Sequence, residues 1–373
     1  MHTPAGLLCR GTAELTASIR GAGQTYGEVV RQVADGYREA ARRMVEAEGT
    51  GALVFSVGRE MRQLSSQPVW LRGRVLLPAA ERAARKARGE TPIPLTPVRF
   101  RSDSVTYSVL HDAEGIPNGL SFDSRPGDAA QRAAYSRASD RQGDRRYEVA
   151  TEKSRRVFEG GDLGIDRTTT RPVSAPWFDP DRPRTPTQIS GHSGPTKFLF
   201  DIDATYTMSG DPLGRQVLIV NGSTLGTHLV TNPDFWLIHT AHGGDVVFHA
   251  CSPGGVAETG LRSNYNDGRY GASGEWGPVS RHGTILTGSA EVMHRHGVGT
   301  PVHGANGKTM LHAHHPDGSP DLTPVPGSDG DFEWNPVPDL SSLVVMPGKD
   351  ADGNSVPGTF VTVHPPSATS GQA

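Results

Sequence analysis

The segment GDVVFHACSPGG, residues 244 to 255, puts a cysteine where an apolar run breaks into a proline–glycine turn. Val246, Val247 and Phe248 read as a buried strand, and Cys251 closes it. In open α/β sheets the functional crevice lies beyond the carboxyl ends of the strands, so a residue placed there meets substrate. A thiol attacks carbonyl carbon as the thiolate, and most ordinary thiols are protonated at neutral pH, so catalysis calls for a partnered base. His192, in ISGHSG, sits at a second strand-to-glycine junction. If the two strands are parallel neighbours, imidazole and sulfur emerge at one sheet edge. The expected pair is Cys251 as nucleophile and His192 as general base and later acid. Backbone N–H groups of Ser252, Gly254 and Gly255 follow the sulfur and are candidate donors to an oxyanion. Gly191, Ser193 and Gly194 form the matching turn around the histidine.

Two other readings of these residues compete. A cysteine ending a core strand also serves as a small buried apolar group. His249 is nearer in sequence, two residues before Cys251, so an extended strand points both to one face about 6.6 Å apart. Strand side chains stand nearly perpendicular to the sheet, so His249 is expected to pack under the sheet rather than act as the base.

A further cluster, MHRHG and LHAHHPDG, holds His294, His296, His312, His314 and His315, with Asp317 as an oxygen ligand. Histidines two apart can share a metal from one strand face, but this spacing matches no specific zinc pattern. His239 and His242 in HTAHGGD read as polar loop residues. The phosphate-binding G-x-x-x-x-G-K-[ST] pattern is absent, as is G-x-S-x-G: proline follows Ser193-Gly194 where the final glycine belongs. No metal or other cofactor is therefore expected.

The pair must be positioned by a larger body. A chain of 373 residues suits one large domain or two ordinary ones. Hydrophobic residues make up 35%, with 46 glycines and 29 prolines, which suits a well-packed core surrounded by long loops. A net charge of −3 steers the chain to neither nucleic acid nor anionic membrane. Two cysteines, Cys9 and Cys251, are too few for a disulfide framework. The opening residues show no basic stretch followed by a sustained apolar core, and no run approaches a membrane span. The expectation is a soluble, cytoplasmic protein.

Residues 1–115 read as an α+β region. Val30, Val33, Tyr37 and Met44 within 25–47 have helical spacing, GALVFSVG (51–58) is a strand candidate, 76–89 a helix, and 96–110 a half-buried strand. Residues 116–186 mix arginines with acids and then prolines, which reads as a partly disordered connector. Between 187 and 346, TQISGHSG, RQVLIVNG, GDVVFHAC and GTILTGSAEVM are apolar runs with glycine breaks. STLGTHLV is a helix candidate with hydroxyl N-caps. This alternation indicates an α/β sheet covered on both faces. Residues 347–373 form an extension with one edge-strand candidate and a polar tail.

The order ISGHSG, VLIVNGSTLGTHL, DVVFHAC resembles the caspase-like cysteine peptidases of clan CD, in particular the CHAT branch and, more closely, the actinobacterial "lonely Cys" domain. The likeness spans roughly 187 to 340, including GDFEWNPVP. Ser193 stands where such turns usually carry glycine, and NDGRYGASGEWGP replaces an expected regular helix after the cysteine. The resemblance implies a three-layer α/β/α sandwich with a mainly parallel sheet and cleavage of peptide bonds in a peptide or protein substrate, with no nucleic-acid or membrane partner. It further implies a charged residue that reads the substrate before the cut. Asp201, Asp203, Asp267 or Glu275 would suit a basic residue, Arg262 or Arg269 an acidic one. A non-catalytic interaction module of the same fold and a His-rich metal-binding protein are the alternatives.

Overall fold

The computed structural model describes residues 69–75, 97–124, 127–157 except 139, 169–255, 283–314 and 340–366 except 351, with short runs within 28–39 and at 87–88, 163–165, 322–324 and 332–334. The chain is α/β, with mixed sheets and few helices.

The sheet that carries the candidate pair runs in chain order across six neighbours: β1 (Ser108–His111), β2 (Pro117–Phe122), β3 (Thr187–Gly191), β4 (Val246–Ala250), β5 (Val302–Ala305) and β6 (Phe360–Val363). β2 to β5 are mutually parallel, while β1 and β6 close the edges antiparallel. Every residue of β3 and β4 is buried. That explains why β4 reads as a continuous apolar run: a parallel strand covered on both faces has no solvent side to alternate with.

Four helices matter here: α1 (Asp128–Ser136), α2 (Gly222–Val230), α3 (Pro233–His242) and α4 (Ile285–Arg295). One face of the sheet, with Leu120, Phe122, Ile189, Val246, Phe248 and Ala250, packs into a core with Leu225, Leu229, Trp236, Leu286 and Met293 of α2, α3 and α4. Burying Phe248 alone contributes about 2–3 kcal/mol by area. Phe100, Phe198, Phe200 and Leu218 of a second, six-stranded sheet complete that core. On the opposite face Val247 and Ala305 meet Tyr135 of α1 and Tyr147, Trp177, Leu343 and Val345 around a third sheet.

Helix ends follow local chemistry. Asn232 caps α3 by accepting from the Phe235 N–H at 3.1 Å, Pro233 opens the first turn, and Gly243 ends it in the left-handed region. α2 is capped by Asn221, which accepts from Thr224 N at 2.8 Å, and not by the serine or threonine that follow.

Three expectations are corrected. Residues 116–186 supply β2, α1 and the strands Arg146–Val149 and Arg171–Ser174, so much of this stretch is built into the sheets. Averaged composition hid the few large apolar residues, Leu120, Phe122, Tyr135, Tyr147 and Trp177, that anchor it. The proposed boundary after residue 115 falls inside the β1–β2 hairpin. The run at 283–293 forms helix α4, closed by a Thr284–Thr287 capping box, and buries Ile285, Leu286, Ala290, Val292 and Met293. The edge-strand candidate near the C-terminus is β6. The strand candidate at 51–58 and most of 76–89 lie outside the described residues, whereas Val30 and Tyr37 are helical and buried as the spacing predicts, with Ala34 buried beside them. Among the described residues no helix is long and apolar enough to cross a membrane.

Candidate active site

β3 and β4 pair in parallel with Gly191 opposite Ala250. The next residue of each strand is His192 and Cys251, so both leave the same sheet edge from strands about 4.8 Å apart. Gly191 is small because Phe198 lies across it: a Cβ there would stand 2.1 Å from the ring. Gly191→Ala is therefore expected to displace Phe198 and the hairpin behind it, at about 1–3 kcal/mol of stability by overpacking. Chemical denaturation checks this, and an unchanged midpoint would contradict the packing.

Ser193 joins the two strand ends. Its hydroxyl donates to the Cys251 carbonyl at 2.5 Å. The Leu199 N–H donates to His192 O at 3.0 Å, which flanks the Ser193–Phe198 pair and makes it the non-hydrogen-bonded type. The Ser193 N–H is thereby turned out of the hairpin. Serine at this position, where the resembled turns carry glycine, is accounted for by its bond to the cysteine strand.

The turn after the cysteine is folded onto the neighbouring strands. Ser252 N–H donates to Gly307 O at 2.8 Å, Gly254 N–H to Ala305 O at 3.0 Å and Gly255 N–H to Ser252 O at 3.0 Å. All three amides expected to hold an oxyanion are engaged with carbonyls, which corrects that assignment. Glycines 254 and 255 are there for close packing, since a Cβ on either would meet a backbone oxygen of Gly304 or Asn306 at 2.6 or 2.9 Å. Ser252 is held at φ +55°, a left-handed conformation that costs a non-glycine residue on the order of 1 kcal/mol. Cys251 is a half-buried free thiol that donates to Thr309 O at 3.7 Å.

The imidazole of His192 turns its Nε2 to Asp128, at 3.0 Å from Oδ2 and 3.1 Å from Oδ1. Asp128 opens α1, behind Gly127 at φ +84°, and lies 3.6 Å from the guanidinium of Arg132 one turn on. Arg132 is buried, pairs with Asp123 at 2.8 Å and donates to Phe122 O at 2.9 Å. Asp123 also accepts from Ser121 and Ser108. Burial works to raise the Asp128 carboxyl, but the His192 bond, the charges of Arg132 and His192, and the Ser124 amide outweigh it and hold it below the ordinary carboxylate value. No protein-family model, curated protein or solved structure matches the chain. The site's chemistry rests on its own geometry.

The other candidate residues are scattered through the fold. His249 is buried beneath the sheet, edge-on to Tyr135 at 5.5 Å, and burial pushes its imidazole down to about 3. Asp201 is tied to Arg215 at 2.5 and 3.1 Å in the second sheet, with Asp203 3.9 Å from the same guanidinium. Asp201 is thus already engaged by a guanidinium of its own sheet. Asp267, Glu275, Arg262 and Arg269 lie outside the described residues, as do Cys9, His315 and Asp317. His294 bonds to Thr300 O at 3.1 Å, His239 stacks on Phe235, and His242 reaches Pro117 O at 2.6 Å. Among the described residues no three His, Cys, Asp or Glu side chains converge as a metal set.

Asp128, Arg132 and Asp123 were not legible as site residues. The one available signal was PGDAAQRAA, a glycine–aspartate helix start with an acid–arginine pair four apart.

Proposed function

We propose that the protein is a cysteine peptidase of caspase-like fold, a three-layer sandwich built on β2 to β5, in a reducing, cytoplasmic setting. The observation that carries this reading is the parallel register of β3 and β4, which brings His192 and Cys251 to one edge as adjacent strand ends. In the proposed reaction the thiol leaves Thr309 O and transfers its proton to the imidazole. The sulfur attacks the peptide carbonyl carbon, and the carbonyl oxygen becomes an oxyanion within reach of the outward Ser193 N–H. Collapse of that intermediate expels the amine, which takes the proton from His192 and leaves a thioester. Water, deprotonated by His192, then attacks the thioester; the acid departs and the thiol is restored. The substrate is a peptide or protein, and the step uses neither nucleic acid nor membrane.

A second reading is a non-catalytic interaction module. The engagement of the Ser252, Gly254 and Gly255 amides favours it, because these donors are spent on the fold. A peptide electrophile of the acyloxymethyl ketone type separates the two. The peptidase reading expects a mass increment on the fragment containing Cys251, formed in native protein and lost in Cys251→Ala. Labelling that appears only after denaturation would favour the second reading.

A further inference from the structure

The catalytic pair leaves a buried ionic chain without a role. Asp128 and Arg132 come from α1 and Asp123 follows β2, while the imidazole and thiol follow β3 and β4. The side chains of Arg132 and Asp128 are 7% and 11% exposed, and His192 is 26% exposed. Such a chain needs a reason, since desolvating charges is costly unless each is matched.

We infer that Asp128 is a positioning residue: it fixes the tautomer and orientation of His192, and Arg132 with Asp123 holds Asp128 in place. The inference rests on the reading of His192 as the base for Cys251. A carboxylate only accepts hydrogen bonds, so Asp128 with both oxygens near Nε2 requires the proton to sit there. The opposite nitrogen, Nδ1, then carries the ring's lone pair, on the side away from Asp128. When it takes the thiol proton, the imidazolium carries one positive charge. Asp128, Arg132 and Asp123 sum to one negative charge, which matches it. Arg132 also secures the backbone, because its bonds to Asp123, Ser121 Oγ at 3.3 Å and Phe122 O anchor α1, one turn past Asp128, to the end of β2, beside β3. The N-terminal end of α1 also favours the ionised carboxylate.

The test uses the full chain and the Asp128→Asn and Asp128→Glu variants, read by the ¹⁵N resonances of the His192 ring, by iodoacetamide alkylation of Cys251 and by peptide turnover. Asparagine keeps the shape and offers an N–H donor to Nε2. The expected result is a shift of His192 toward the Nδ1–H tautomer, alkylation slowed about 10-fold or more, and kcat lowered about 10²–10³-fold with KM changed little. Asp128→Glu should restore part of each. An unchanged tautomer in Asp128→Asn, with alkylation and kcat within about 3-fold, overturns the inference while leaving the peptidase assignment standing. If the unaltered protein turns over no peptide, the peptidase assignment fails. The tautomer and alkylation readings then decide the role of Asp128 by themselves, a change in both supporting it and no change overturning it.

Discussion

Replacing His192 with alanine is expected to lower peptide turnover at least 10²-fold, the usual scale for losing a general base. The same variant should slow alkylation of Cys251, because no adjacent base accepts the thiol proton. Cys251→Ala should abolish both turnover and labelling. His249→Ala is the discriminating control. It removes a buried ring that packs on Tyr135, so its effect should fall on stability, with turnover per folded molecule near that of the unaltered protein. The physical ground is placement: His192 leaves the sheet edge beside Cys251, whereas His249 sits one pleat repeat below it in the interior. If His249→Ala abolishes turnover in folded protein while His192→Ala retains it, the assignment of the base is wrong.

Acid is expected to destabilise the fold steeply, beginning near pH 6.5. Burial pushes His228 and His249 down to about 3 and His239 to about 4, from an ordinary 6.5. Above pH 6.5 each ring is neutral in both folded and unfolded chains and adds no pH dependence. Below it the unfolded chain binds protons that the folded one refuses, so unfolding becomes easier until the folded values are reached. Each ring contributes about 1.4 kcal/mol per pH unit in that window, so three give about 4 kcal/mol per unit. A typical domain holds only about 5–15 kcal/mol, so unfolding between pH 6 and 4 should be evident. Asp128, held low, adds to the loss below about pH 4, as protonation breaks its pairs. Asp144, raised by burial, works in the opposite sense because its folded form takes up a proton first. Urea denaturation at pH 8, 6.5 and 5 measures the slope. His249→Phe should reduce it by about a third, since it keeps the ring packing and removes two buried nitrogens without partners. Stability that stays flat from pH 7 to 5 would contradict the burial of these rings.

Much of the site was readable because its strands are covered on both faces. Val246-Val247-Phe248 and the short TQISG run declare buried strands without reference to any partner; Gly191 ends one, and the Ser-Pro-Gly-Gly turn after Cys251 ends the other. That is enough to nominate Cys251 and His192. Other features deceived. GTILTGSAEVM is as apolar as a strand, and only the capping threonines and the spacing of Leu286, Ala290 and Met293 betray α4. Arginine-rich composition masked β2 and α1, whose buried anchors are few and far apart.

By itself, then, the sequence determined some of the local elements, β3, β4 and α2 among them, and the two residues at strand ends, because burial periodicity and glycine breaks act over a few neighbouring residues. The tertiary structure alone decided the rest. The parallel pairing of β3 with β4 puts His192 beside Cys251 across dozens of intervening residues. The fold of the SPGG turn onto Ala305 and Gly307 occupies amides that would otherwise have been free. Asp128 reaches Nε2 from 64 positions away because α1 starts at the sheet edge where β3 ends. Such groups meet only when packing closes long loops, and no property of their own neighbours in the chain records the meeting.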